Sequence, residues 1–85
     1  MRFRYAAALV LIGWYLLIPP QARGGGFDRA APLSQWFLYG RFDSLPECEH
    51  AKALNQETFK NTDDSLRKAF EQAQCVATDD PRLSG

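Results

Sequence analysis

The sequence predicts a small α+β domain behind an apolar N-terminal segment. Three observations predict this fold class: an aromatic run typical of strands from Trp36 to Phe42, a helix-start signal at Ser44, and the cysteine pair Cys48 and Cys75. Together they predict the element order strand, helix, helix and short strand, closed by one disulfide. The alternative fold is a disulfide-stapled helical hairpin, in which residues 36–42 form an extended arm without a partner strand.

Length and charge limit the possible functions. The chain has 85 residues, and its ten Lys and Arg balance ten Asp and Glu. Because this balance lacks the basic excess that drives binding to phosphate backbones, nucleic acid is not an expected partner. The sequence carries no recognisable catalytic, metal-binding or cofactor motif, so we expect a protein that is not an enzyme and needs no cofactor.

The first 20 residues have the layout of an export signal. Arg2 and Arg4 precede a stretch of fourteen uncharged residues, 5–18, and two prolines follow it. As a helix this stretch is roughly 21 Å long, shorter than the roughly 30 Å of a bilayer core, which favours a cleavable signal. Trp14 and Tyr15 favour a retained anchor helix instead, because such rings suit the headgroup level of a membrane.

The candidate cleavage sites do not decide between a cleaved signal and a retained anchor helix. Pro20-Gln21-Ala22 is a poor match to the small residues that signal peptidase requires, and Ala22-Arg23-Gly24 is a better match. In either case the basic start stays in the cytoplasm and the rest crosses the inner membrane. The C-terminal domain is therefore expected in the periplasm, anchored through residues 1–20 or released there.

Residues 21–32 are expected to form a flexible linker, and residues 33–85 the folded domain. The linker contains three consecutive glycines, 24–26, and no apolar periodicity. Beyond Gly24 the chain holds seven basic and ten acidic residues, so the exported part is mildly acidic. A folded unit of about 50 residues buries only about 60% of its unfolded surface, so it needs a disulfide, a metal or a partner.

The aromatic run is expected to pack in the core. Strand alternation divides it between two faces, with Trp36, Leu38, Gly40 and Phe42 on one and Phe37, Tyr39 and Arg41 on the other. Gly40 indicates a β-bulge or a close approach by a packed group. An aromatic strand can also stack bases or sugars, but the balanced charge favours the packing role.

Two helices and a short strand follow this run. Ser44-Leu45-Pro46-Glu47 fits the Ser-x-x-Glu capping box, with the proline in the first turn. The inward face of the first helix is expected to hold Leu45, Cys48, Ala51 and Leu54. After a break near Asn61, a second helix is predicted from the periodic residues Leu66, Ala69, Phe70 and Ala73. Thr62, Asp63 and Asp64 are the alternative caps of this helix. Residues 75–78 are expected to form a strand that pairs with residues 36–42.

Cys48 and Cys75 are the strongest chemical signal. In an exported chain two thiols meet an oxidising environment, and closing the loop between them stabilises the fold by roughly 3–4 kcal/mol. A structural disulfide is therefore expected. The alternative is a metal-dependent or redox activity that uses Cys48, His50, Cys75 and Asp79. The absence of Cys-x-x-Cys spacing argues against it, as does the angle of about 200° between helix positions 48 and 50.

Asp79, Asp80 and Arg82 form the last charged cluster of the chain. Paired carboxylates can bind calcium or perform acid–base chemistry, but adjacent aspartates beside a proline are more typical of a solvated turn. Arg82 is expected to pair with one of them. Among the polar groups, this cluster is the first candidate for a recognition surface.

Four short segments of the sequence resemble segments of known proteins. They are Trp14-Tyr15-Leu16 with Pro19-Pro20, then Ala31-Pro32-Leu33-Ser34-x-Trp36, then Phe42-Asp43-Ser44 with Cys48, and Cys75-Val76-Ala77-Thr78-Asp79-Asp80-Pro81-Arg82-Leu83. In this combination the chain resembles short exported or membrane-anchored bacterial proteins. The resemblance implies a bacterial origin and a periplasm-facing domain, but no activity, substrate or cofactor. We therefore expect a noncatalytic envelope module that binds a protein partner. The alternative is a small subunit of a membrane complex.

Overall fold

Three strands and two helices make up the fold. The structure, a computed structural model, describes residues 12–84. Its strands are β1 (Trp14–Ile18), β2 (Phe37–Phe42) and β3 (Gln74–Ala77), and its helices are α1 (Leu45–Phe59) and α2 (Asp64–Gln72). Short 3₁₀ helices cover Leu33–Gln35 and Pro81–Ser84. This confirms the α+β class and the order strand, helix, helix and strand, with β1 as an additional strand ahead of them.

β1 is the central strand of one antiparallel sheet with the order β2-β1-β3. Leu16 lies opposite Gly40 of β2 on one side and Cys75 of β3 on the other. The predicted pairing of residues 75–78 with residues 36–42 is therefore wrong, because β1 separates the two strands. The helical-hairpin alternative is also wrong, since β2 has a partner strand.

The apolar segment before residue 20 differs from its prediction where the structure describes it. Residues 14–18 form β1 and not the end of a helix. A continuous apolar run suits a strand that is covered on both faces, and this run has such covers. Residues 1–11 of the expected signal or anchor helix lie outside the described residues. Within residues 12–84, no helix has the length and apolar character needed to cross a membrane.

Successive residues of β1 enter two separate hydrophobic clusters. On the face covered by the helices, Leu16 is fully buried with Cys48, Phe70 and Ala73. On the opposite face, which the two 3₁₀ helices cover, the buried cluster consists of Leu17, Leu33, Trp36 and Val76. Both clusters depend on β1, so the folded unit includes residues upstream of the predicted boundary at residue 33.

A β-bulge interrupts β2 at Tyr39. Leu16 pairs with Gly40 and Leu17 pairs with Leu38, which leaves Tyr39 as the extra residue. This confirms the bulge expected from Gly40. The alternative expectation of a close approach is not met, because a Cβ at Gly40 would lie 3.5 Å from the Phe42 ring, an ordinary contact. The predicted alternation of faces therefore fails at Tyr39.

The segment predicted as a linker closes on itself through hydrogen bonds. Gln21 and Phe27 form an isolated antiparallel bridge, and the Ala22 amide donates to the Gly26 carbonyl at 3.0 Å. The Asp28 amide donates to the Pro20 carbonyl at 2.8 Å. These bonds fix the path from the end of β1 to the loop that precedes the first 3₁₀ helix.

Both helix starts follow their predicted caps. The Glu47 amide donates to the Ser44 hydroxyl oxygen at 3.2 Å, and that hydroxyl donates to the Glu47 carboxylate at 2.9 Å. Asp63 caps α2 by accepting from the Leu66 amide at 3.1 Å. The predicted inward face of α1 is only partly right, because Cys48 is buried but Leu54 is 55% exposed.

Candidate binding surfaces

A disulfide joins Cys48 of α1 to Cys75 of β3. The two Cα atoms are 6.1 Å apart, and Cys48 is fully buried. This confirms the predicted staple between the first helix and the C-terminal segment. The bond ties a helix to an edge strand of the sheet.

The metal or redox alternative requires free thiols, and both cysteines are oxidised here. His50 is exposed on α1, beside a shallow apolar groove that Phe42, Pro46, Ala51 and Leu54 also line. Within residues 12–84, no three His, Cys, Asp or Glu side chains are arranged to hold a metal ion. The four residues of this alternative thus do not come together as one ligand set.

The C-terminal cluster divides into a close ion pair and a separate aspartate. The Arg82 Nη2 atom donates to Asp80 Oδ2 at 2.8 Å, and its Nε atom donates to Asp80 Oδ1 at 3.1 Å. The Arg82 backbone amide donates to the same carboxylate at 2.9 Å. These hydrogen bonds lower the pKa of Asp80. Asp79 is exposed in the preceding turn and is not part of this pair.

Arg82 also lines a cavity that the sequence did not predict. The cavity has a volume of about 360 Å³ and lies on the sheet face covered by the 3₁₀ helices. Its lining residues are Arg29, Ala31, Pro32, Leu33, Trp36, Gln74 and Arg82. Arg29 has no motif around it, and only the fold brings it to the same cavity as Arg82.

The outer part of β2 exposes three consecutive large apolar residues. Phe37 is 64% exposed, Leu38 50% and Tyr39 46%. We call these three residues the aromatic edge. β2 is a terminal strand of the sheet, and no strand within residues 12–84 pairs with its outer side. The expectation of a core role thus holds for Trp36, which is buried, but is wrong for the aromatic edge.

An apolar groove runs between the aromatic edge and the helices. Its volume is about 380 Å³, and it is lined by Ile18, Phe37, Tyr39, Asn55, Phe59, Leu66 and Phe70. Tyr39 is held in place at this groove. Its ring packs edge-on against Phe70 with centroids 5.0 Å apart, and its hydroxyl donates to Asn55 Oδ1 at 3.4 Å.

The groove has no charge and little unused hydrogen-bonding capacity. None of its lining residues is Asp, Glu, His, Lys or Arg. The Asn55 side chain uses its nitrogen on the Ala51 carbonyl at 2.8 Å and its oxygen on Tyr39. The groove therefore suits an apolar side chain.

Comparisons with models of protein families, with curated proteins and with solved structures found no match to this chain. The resemblance to short exported bacterial proteins stays a prediction.

Proposed function

We propose that this chain is a noncatalytic envelope protein that binds an extended segment of another protein along the aromatic edge. The observation that carries the proposal is the exposure of Phe37, Leu38 and Tyr39 on a terminal strand beside an apolar groove. Exposed apolar patches of this kind mark interaction sites more often than isolated apolar residues do.

The chemistry of the edge favours an extended partner segment. The outer side of a terminal strand presents backbone N–H and C=O groups that an added strand can pair with. The adjoining groove, about 380 Å³, can take an apolar side chain of that segment. Backbone pairing supplies affinity in this mode, and the groove supplies specificity.

A partner protein fits this edge better than a second copy of the chain. The bulge at Tyr39 bends β2, and bulges of this kind oppose extended pairing between identical edges. A single extended segment can adjust its path at the bulge, whereas a symmetric dimer would place two bulges against each other. The test must therefore distinguish binding of a different protein from self-association.

Export and retention of the N-terminus are part of the proposal. The disulfide suits an oxidising compartment such as the periplasm, and the basic start followed by an apolar run is typical of an exported chain. Cleavage after Ala22 or Gly24 would remove β1, and with it the strand that joins β2 to β3. We therefore favour a chain that keeps Trp14–Ile18 as part of the folded periplasmic domain.

The test places a photo-crosslinking amino acid at Phe37 of the full chain in the cells that produce it. The proposal predicts a crosslinked product that contains a second, different protein, which mass spectrometry of the product then identifies. Leu45 is the matched control position, because it is an exposed apolar residue that does not line the groove.

Three results would contradict the proposal. The first is the absence of any product from Phe37, and the second is the same product in equal yield from Leu45. The third is a product composed of two copies of this chain, which would assign the edge to self-association. If a different protein is captured, the crosslinker is moved to Leu38 and the yield of the crosslinked product is measured again. Phe37→Ser should then reduce this yield, while Leu45→Ser should not.

A further inference from the structure

The cavity beside Arg82 combines positive charge with an apolar floor. Arg29 and Arg82 line it together with the Gln74 amide, while Pro32, Leu33 and Trp36 provide apolar surface. None of its lining residues is acidic. The cavity lies on the sheet face opposite the groove of the aromatic edge, so it is a separate site.

The guanidinium of Arg82 is held in one orientation. Asp80, whose side chain is only 18% exposed, accepts from the Nε and Nη2 atoms of Arg82. The Nη1 atom has no partner within residues 12–84. A guanidinium fixed in this way loses less freedom when it binds an anion, because its orientation is already set.

Arg29 brings a second positive charge to the cavity. It lies in a turn in which the Ala30 amide donates to the Asp28 carboxylate at 3.1 Å and the Ala31 amide donates to the Asp28 carbonyl at 3.4 Å. In the part of the chain that the structure describes, Arg29 has no ion-pair partner. Since Asp80 offsets the charge of Arg82, Arg29 leaves the cavity with a net positive charge.

The floor of the cavity is well packed, and its polar N–H group already has a hydrogen-bond partner. The Trp36 indole nitrogen donates to the Ala31 carbonyl at 2.9 Å, and the Trp36 side chain is buried. Leu33 packs in the same buried cluster. The floor therefore needs no polar partner and can accept the apolar part of a ligand.

We infer that this cavity binds an organic carboxylate attached to an apolar body, with the carboxylate between Arg29 and Arg82 and the apolar body on Trp36 and Leu33. Guanidinium groups match the planar carboxylate and form charge-assisted hydrogen bonds with it. Two sources carry this chemistry, the C-terminus of a peptide that ends in an apolar residue and a free carboxylic acid.

The test follows the Trp36 indole N–H signal of the ¹⁵N-labelled full chain by NMR while ligands are added. The two carboxylate ligands are N-acetyl-alanyl-phenylalanine and 3-phenylpropionate, and their neutral amides are the matched controls. A saturable shift with a carboxylate and none with its amide is the expected result. The ligand that binds more tightly identifies the source.

Variants separate the site from general surface charge. Arg29→Gln should lower the affinity for the carboxylate ligand by about tenfold, which is the loss expected for one charged hydrogen bond. Arg23→Gln, which removes an exposed arginine that does not line the cavity, should leave the affinity unchanged. Arg29 is exposed, so its replacement should keep the fold, and the remaining signals of the spectrum report on this directly.

Several results would overturn the inference. An equal shift with a carboxylate and its amide would show that the charge plays no role in binding. Inorganic phosphate binding as tightly as the carboxylates would show that the apolar floor plays no part. No saturable shift with either carboxylate, or equal affinity in the Arg29→Gln variant, contradicts the assignment as well.

Discussion

Leu16 lies opposite Cys75 in the pairing of β1 with β3, and its side chain is fully buried in the cluster that contains Cys48. The central strand and the disulfide therefore stabilise the same core from two directions. Residues far apart in the sequence meet here, since β1 precedes the first cysteine by about a third of the chain. This relationship makes residues 14–18 part of the folded domain.

Replacing Leu16 with alanine should destabilise the protein strongly. The side chain is completely buried between the sheet and the helices, and such truncations cost about 2–5 kcal/mol. Leu54→Ala is the matched control, because Leu54 is largely exposed. This variant should lose less than about 1 kcal/mol of the free energy of unfolding. Urea unfolding of both variants measures the difference. Equal losses would mean that Leu16 is not a core residue.

Removing the disulfide should also lower stability. The bond closes a loop between cysteines that are 27 positions apart, which corresponds to roughly 3–4 kcal/mol in the chain-entropy model. The double variant Cys48→Ala and Cys75→Ala avoids leaving a free thiol. Its thermal unfolding midpoint should fall by many degrees relative to the oxidised protein. An unchanged midpoint, or free thiols in the exported protein, would contradict the staple.

The Asp80–Arg82 pair predicts a particular dependence of stability on pH. Hydrogen bonds from Arg82 lower the pKa of Asp80 in the folded state. The stability that this pair contributes is thus present above the unfolded pKa of about 3.9 and is lost as the pH falls through the lower folded pKa. The difference in urea midpoint between the protein and Asp80→Asn should shrink toward zero in acid. A difference that stays constant from neutral pH into strong acid would show that the pair does not titrate in this way.

The loop after β1 predicts an unequal response of its glycines. Gly26 has a φ of 74°, in the left-handed region, whereas Gly24 does not have a positive φ. Gly26→Ala should therefore destabilise the protein by about 1–2 kcal/mol, and Gly24→Ala should have little effect. Neither added methyl meets another atom within 4 Å, so the contrast isolates the backbone conformation. Similar unfolding midpoints for the two variants would argue against the turn that Gln21 and Phe27 close.

Local signals predicted much of this fold correctly. The box at Ser44 marks the start of α1 because a cap depends only on neighbouring residues, and Asp63 marks α2 in the same way. The pairing of Cys48 with Cys75 follows from their being the two cysteines in the chain. The order of the elements after residue 33 was also predictable.

The position of β1 was not predictable from the sequence alone. A short apolar run such as Trp14–Ile18 has no periodicity that separates a buried strand from a helix, and its place after a basic start favoured the membrane interpretation. The missing strand then led to the wrong pairing of β2 with β3. The exposure of Phe37 and Tyr39 depends on the same topology, because it is the terminal position of β2 that leaves them uncovered.

The arrangement of the sheet can be tested most directly by interstrand backbone NOEs in the full chain. With β1 in the centre, Tyr15 should show contacts to Arg41 on one side and to Val76 on the other, because these residues are its partners in the two registers. Both sets of contacts together would establish the order β2-β1-β3. Direct contacts between residues 36–42 and 75–78, with none to residues 14–18, would contradict it.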